Sequence, residues 1–270
     1  MTRGPVVRGL GVLSAWGRGL ASLPDDARAA AAGRTALSLG RLAREGEAWR
    51  RTTREGLIAV SAVEAALEDA GADASAIAGP DTALVYVTAA AYGASNRRFI
   101  EGRGGGIRFA ETAPAVVSAE VSIAFGACGP YAILLGGPPA TLRAIHHAAA
   151  LIESAACARA LVTAVEIFEE CTDLYARARR LTALPVVEAA ACLWLEPGGG
   201  VVRIEPGPPR QPNAGLRRRL GETFSVEPLV ALDFWRRSGG LGTLEMAARW
   251  RGQSSRLIWT GATLSPAEVA

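Results

Sequence analysis

A chain of 270 residues, half of them hydrophobic, can bury a large core as one domain or as two intimate halves. Its formal net charge of +3 is too small to argue for nucleic-acid binding. All 29 basic residues are Arg, which excludes lysine Schiff-base or general-base chemistry, and no apolar run reaches the ~18 residues of a membrane span.

Val6–Val12 is a short apolar run broken by Gly-Leu-Gly and reads as a buried strand feeding a turn. Pro24 to about Arg51 is Arg/Ala-rich and weakly periodic, so irregular structure with short helices is predicted. Thr52 or Thr53 can cap a helix running to Ala70, with Leu57, Val60, Val63 and Leu67 at helical spacing and Gly71 as its stop. Thr82–Val87 predicts an apolar strand, Ala89–Gly93 a small-residue turn and Ala94–Glu101 a helix. Gly102–Gly106 is a Gly/Arg loop with no capped strand–helix context to make it a phosphate cradle. Val116–Phe125 has helical spacing.

Gly129–Ala148 then reads as a buried strand over Tyr131–Leu135, a Gly-Gly turn and a helix over Ala140–Glu153. Several enzyme folds present a nucleophile in this way, at a helix N-terminus. The presenting position here is Pro138, which has neither a nucleophile nor a backbone N–H to hold an oxyanion. Ala158–Phe168 predicts another strand, and Pro185–Glu196 with Val201–Ile204 read as two arms of a hairpin around Gly198-Gly-Gly. A Pro-rich linker over Glu205–Asn213 precedes a helix over Val226–Arg237, a second helix over Thr243–Arg251 and a strand near Arg256–Thr260. Strands alternating with helices imply an α/β layered fold, and the tail holds too few elements for a full sheet domain of its own.

Among the polar residues, His146 and His147 are the only histidines; one packed and one at a partner surface is the expected arrangement. Glu166 is expected to bind backbone or arginine at a strand end, and Glu169-Glu170-Cys171-Thr-Asp173 to be a solvated loop, not a metal site. Cys128, Cys157, Cys171 and Cys192 show no CxxC pair and no metal-ligand spacing. With no signal-peptide pattern at Met1–Arg8, the expectation is a cytoplasmic protein with small buried thiols. Trp235, Trp250 and Trp259 are expected to pack the tail against the main sheet.

Four pieces in this order resemble the β-ketoacyl synthase family of the thiolase fold. Val6–Ser14 is similar to that family's first strand and turn, Leu57–Gly71 to its first long helix, Val117–Pro130 to the segment before the nucleophile strand, and Pro185–Glu196 to the strand closing the N-terminal half. The resemblance implies a layered α-β-α-β-α architecture with a complete N-terminal half (residues 1–204), the linker (205–213) and a shortened C-terminal half (214–270) packing on the first. It also places the departures. Pro138 stands where the family has its acylated Cys, and Cys128 lies too far upstream to replace it. In Arg217-Arg-Arg-Leu-Gly-Glu222, Arg217 stands for the family's Lys and Glu222 for a catalytic His.

Condensation needs a thiolate, an oxyanion donor and imidazoles. By the resemblance, the expected function is a non-catalytic subunit of chain-length-factor type, as in type II polyketide or aryl-polyene systems. It would have no cofactor and no metal, and would pair with an active β-ketoacyl synthase and dock an acyl carrier protein. Ile107–Val121 and Tyr131–Gly137 would meet the partner, with Phe109, Pro114, Ser118, Val121, Ile133, Leu135 and Gly137 at the interface or acyl tunnel. Shortening is expected to leave apolar surface for that partner to cover. Arg97, Arg98 and Arg217–Arg219 are the candidate carrier-docking residues. The alternatives are an enzyme with replaced chemistry, a decarboxylase or acyl hydrolase using Glu222, Glu166 or Cys171, and a stand-alone acyl or carrier-protein binding module.

Overall fold

The structure, a computed structural model, describes residues 4–40, 42, 44, 46, 49, 50, 52–89, 93–102, 112, 113, 115–168, 174, 176, 177, 182–207, 214–239 and 242–261. The Gly-Leu-Gly of the first apolar run does not end it. Strand β1 runs from Pro5 to Ser14, and its glycines serve a different purpose. A Cβ on Gly9 would lie 2.2 Å from the Ala66 carbonyl oxygen, and one on Gly11 would lie 2.4 Å from that of Ala62. Both carbonyls belong to helix α2 (Arg54–Asp69), which lies directly on the strand. The bare backbone lets helix and sheet approach where any side chain would hold them apart.

After β1 come β2 (Gly17–Arg18), β4 (Thr82–Thr88), β5 (Tyr131–Leu135), β6 (Arg159–Glu166) and β8 (Ala189–Pro197), in the sheet order β2-β1-β8-β6-β4-β5. β4, β5 and β6 are mutually parallel, and β8 is antiparallel to both of its neighbours. β4 and β6 are apolar almost throughout because helices cover both faces. On one face lie α2 and α4 (Val116–Phe125); on the other lie α5 (Pro138–Glu153) and α7 (Glu227–Arg237). Thr53 caps α2, its Oγ1 accepting from Gly56 N at 3.0 Å. The remaining pieces are α1 (Ala27–Ala30), α3 (Gly93–Ile100), α6 (Ala214–Leu220), and the two-residue strands β3 (Ala36–Leu37) and β7 (Val186–Val187), which pair in parallel.

Two expectations are corrected here. Val201–Glu205, β9, is not the second arm of a hairpin with β8, because both edges of β8 are taken by β1 and β6. β9 instead joins a second sheet, ordered β10-β11-β9. Thr243–Trp250 is strand β10, not a helix: Leu244, Met246 and Ala248 are buried at strict alternation, a period of two. β10 pairs residue for residue with β11 (Gln253–Thr260), which pairs in turn with β9. The second sheet covers the far side of α5.

The two halves share one plan. β1, α5, β6 and β8 in the first half are answered by β9, α7, β10 and β11 in the second: the opening strand pairs antiparallel with the last, the last with the one before it, and a central-layer helix leads into that penultimate strand. The outer face of the second sheet is largely polar, with Arg203, Glu205, Glu245, Arg249 and Arg256. Arg256 pairs there with Glu205 and, at 3.3 Å, with Glu245. The uncovered stripe of α5 carries Arg143 and His147. The expected apolar exposure on the short half is therefore not found. Among the described residues the exposed large hydrophobic side chains are Phe99, Ile100, Ile123, Tyr131 and Leu135, all in the first half.

Gly11→Ala is expected to lower the unfolding free energy by about 1–3 kcal/mol through overpacking against α2. Gly40→Ala, with open space around it, should stay within about 0.5 kcal/mol of the parent in urea unfolding.

Candidate functional site

β5 ends at Leu135 and the chain turns through Gly136 and Gly137 into α5. Gly136 has φ 151°, a conformation that other residues rarely adopt, and its N–H donates to Thr88 O at 2.9 Å. α5 begins at Pro138, two residues before the expected start, with prolines in its first turn where the N–H groups lack intrahelical partners. The first available N–H is that of Ala140, and it is taken by Gly137 O at 2.8 Å. This helix start therefore offers neither a nucleophile nor a free donor at the head of the turn.

The indole of Trp250 lies over the same turn. A Cβ on Gly137 would sit 2.4 Å from that ring, so only glycine fits beneath it. Trp250 is held edge-on by Phe224, with ring centroids 5.5 Å apart and planes at 74°. Phe224 itself is buried with φ 46°, a strained left-handed conformation for a residue with a Cβ. Its N–H donates to Glu222 Oε1 at 3.1 Å. Glu222 is fixed by its backbone: its N–H donates to Pro185 O and its carbonyl accepts from Val187 N, both at 2.9 Å.

Pro138, Arg217 and Glu222 come together in the structure. All three line one cavity of about 730 Å³ between α7 and β10. Arg217 on α6 pairs with Glu222, and its Nε lies 3.4 Å from Glu227 Oε2. Burial pushes the Glu227 carboxyl up to about 7, opposed by Arg217 and reinforced by the nearby charge of Glu222. Glu227 was missed in the sequence because an acid in a helix's first turn ordinarily reads as exposed and favoured by the helix dipole. The available signal was its helical face, shared with Ala231 and Phe234.

Other residues fall elsewhere. Glu166 is fully buried at the end of β6, where it accepts from Ala89 N at 2.7 Å, Ser225 N at 3.3 Å and the Ser225 hydroxyl, the strand-end role expected of it. His146 is half-buried and His147 exposed, about 12 Å along α5 from Pro138. Trp259 is core, whereas Trp235 and Trp250 line the cavity. Cys157 and Cys192 are buried free thiols, Cys192 pushed up to about 12 by burial, and Cys128 is exposed.

Ser118 and Val121 are buried toward α2 and the sheet, so on α4 it is Ile123 that faces outward. Ile133 is half-buried, Leu135 exposed and Gly137 beneath Trp250. Phe109, Pro114, Cys171 and the Glu169–Asp173 loop lie outside the described residues. Arg97 and Arg98 are exposed on α3. Arg217–Arg219 do not form one basic face: Arg217 is committed to the cavity, Arg218 pairs with Asp26 at 3.2 Å, and Arg219 donates to Leu23 O and Pro24 O at 3.1 Å. Among the described residues no group of acidic, His or Cys side chains could hold a metal ion, and no helix is long and apolar enough to cross a membrane.

Residues 44–184 match the family model "Beta-ketoacyl synthase, N-terminal domain". No curated protein matches the sequence. Among solved structures, the chain is similar to a beta-ketoacyl synthase from Burkholderia phymatum STM815, with TM-score 0.72 and 14% identity over 96% of this chain and 100% of that one. It is similar to the complex of a type II PKS acyl-carrier protein with its ketosynthase bound to the hexaketide, with TM-score 0.74 and 15% identity over 97% and 100%. The ishigamide ketosynthase/chain length factor gives TM-score 0.73 and 15% identity over 95% and 99%.

Two outcomes are expected. The folded state holds the Glu227 proton more tightly than the unfolded chain, so its stabilising contribution is full below about pH 4.5 and is lost as pH rises through about 7. Glu227→Gln should remove this loss, which amounts to about 1–3 kcal/mol between pH 5 and 8 in urea unfolding. Separately, Pro138→Cys should not condense acyl and malonyl thioesters, because the two histidines of the chain lie at least about 12 Å along α5 from it and Glu222 is paired with Arg217.

Proposed function

The chain belongs to the β-ketoacyl synthase family, and from that premise we propose that it is a non-catalytic subunit of chain-length-factor type that pairs with an active β-ketoacyl synthase. The observation that carries this reading is Pro138 at the head of α5 with the Trp250 indole over Gly137: the turn that would present a thiolate is intact in backbone and closed in chemistry. Glu222 in place of an imidazole, paired with Arg217, supports the same conclusion.

Pairing is supported by the edge of the first sheet. Among the described residues β5 is the end strand, with one edge on β4 and no strand on the other. Tyr131 is 66% and Leu135 59% exposed on it, and Ile123 on α4 is 83% exposed. An open strand edge lined with apolar side chains is a surface that soluble proteins ordinarily cover. On this reading the partner's strand pairs beside β5, and an acyl carrier protein delivers chains to the partner. The neighbouring solved structures include both a ketosynthase with its carrier protein and a ketosynthase/chain length factor.

A second reading, an enzyme with replaced chemistry, draws on Glu222 and Glu227 facing one cavity; turnover of an acyl thioester by the isolated protein that Glu222→Gln abolishes would establish it.

The test is co-expression with an intact type II ketosynthase. A stable heteromeric complex is expected on size exclusion, and Leu135→Arg should dissociate it while leaving the thermal midpoint of the subunit unchanged. A monomeric protein beside a ketosynthase that works equally well alone would overturn the proposal.

A further inference from the structure

The cavity between α7 and β10 has a layout that the subunit reading does not use. α7 turns one stripe toward it: Glu227, Ala231, Phe234, Trp235 and, just past the helix, Ser238. From Glu227 to Ser238 this stripe extends about 16 Å. The opposite wall is β10, whose second edge has no partner strand among the described residues. The space has aromatic and aliphatic walls and a charged end where Glu227, Glu222 and Arg217 line it together with Pro138.

Charge at that end does not balance. Two carboxylates share one guanidinium. Glu222 has both Arg217 and the Phe224 N–H, whereas among the described residues the only cation Glu227 meets is Arg217, at 3.4 Å. The buried Nε of Arg217 makes no hydrogen bond in this arrangement. Glu245 and Arg249 on β10 belong to the outer face of the second sheet, where Glu245 pairs with Arg256 at 3.3 Å. A buried carboxylate with so distant a partner takes up either a proton or a cation. Phe234, Trp235 and Trp250 line the same cavity, and aromatic faces attract cations, as the Arg251 guanidinium does 5.8 Å from the Trp250 ring centroid.

We infer that this cavity binds a linear aliphatic chain bearing a protonated amine, with the ammonium seated at Glu227 and the chain lying along α7 toward Ser238. The inference goes beyond pairing with a ketosynthase and stands whether or not such a complex forms.

The probe is n-decylamine, compared with n-decanol and n-decanoate, titrated calorimetrically into the isolated full chain near pH 8. The amine is expected to bind at least about tenfold more tightly than the alcohol, and the carboxylate more weakly than either. Near pH 6 the amine's advantage should shrink by about tenfold as Glu227 becomes protonated. The charged groups beside Glu227 are Arg217 and Glu222, with Glu245 and Arg249 at the cavity rim; Arg217 keeps its charge across that range. Glu227→Gln should abolish the preference for the amine, and Glu245→Gln, at the rim, should keep it. Equal affinity for all three head groups, a preference that survives Glu227→Gln, or no binding at all would each overturn the inference. None of these outcomes bears on complex formation with a ketosynthase, which is read separately.

Discussion

Helix α5 has a sheet on each side of it, and most of the structure is arranged to satisfy that double burial. One flank meets β4, β6 and β8; the other meets all three strands of the smaller sheet. Leu142, Ile145 and Ile152 fill the space, each contributing on the order of 1.5–3 kcal/mol, while Ala140, Ala144, Ala148 and Ala149 let the layers close in. The small sheet holds only three described strands, yet it is enough to cover the helix because its outward face is polar and needs no further layer.

This layering also determines what the head of α5 can do. The second sheet brings Trp250 onto Gly137, while α6 brings Arg217, and the loop after it Glu222, into the cavity that Pro138 lines. An intact backbone turn, an aromatic cover and an unevenly matched set of charges thus occur within one cavity wall. Loss of a thiol alone would leave an open helix start. Here the prolines remove the free donors and the indole removes the access.

Much of this was legible in the residues. The Thr53 cap, the spacing of the helix beneath it, the Tyr131–Leu135 strand and the Gly-Gly-Pro turn all report local chemistry, and local chemistry decides them. The errors came where a partner element decides the outcome. Gly9 and Gly11 looked like a break in the apolar run because nothing in the strand reveals the helix resting on it. Thr243–Trp250 carries alternation that its Ala and Arg content obscured, and whether β9 pairs with β8 depends on which edges are already occupied. Arg217 looked like one of three surface arginines, and only the fold separates it from Arg218 and Arg219. Glu227 escaped notice for the same reason: its burial comes from β10 and α6, not from its neighbours in sequence.

The contact between Gly137 and Trp250 has a consequence for how the molecule comes into being. The turn in the middle of the chain reaches its final packing against a side chain in the closing hairpin of the second sheet, and α5 stays half-covered until β10 and β11 arrive. The first sheet can pair while the ribosome is still at work, but its central helix must wait for residue 250 before its second flank is sheltered. Contacts of such long sequence separation slow folding and prolong the exposure of apolar surface. During that interval the nascent chain carries two uncovered faces, the unfinished flank of α5 and the open edge of β5. How long the flank of α5 waits for its cover is written into the distance between Gly137 and Trp250 along the sequence.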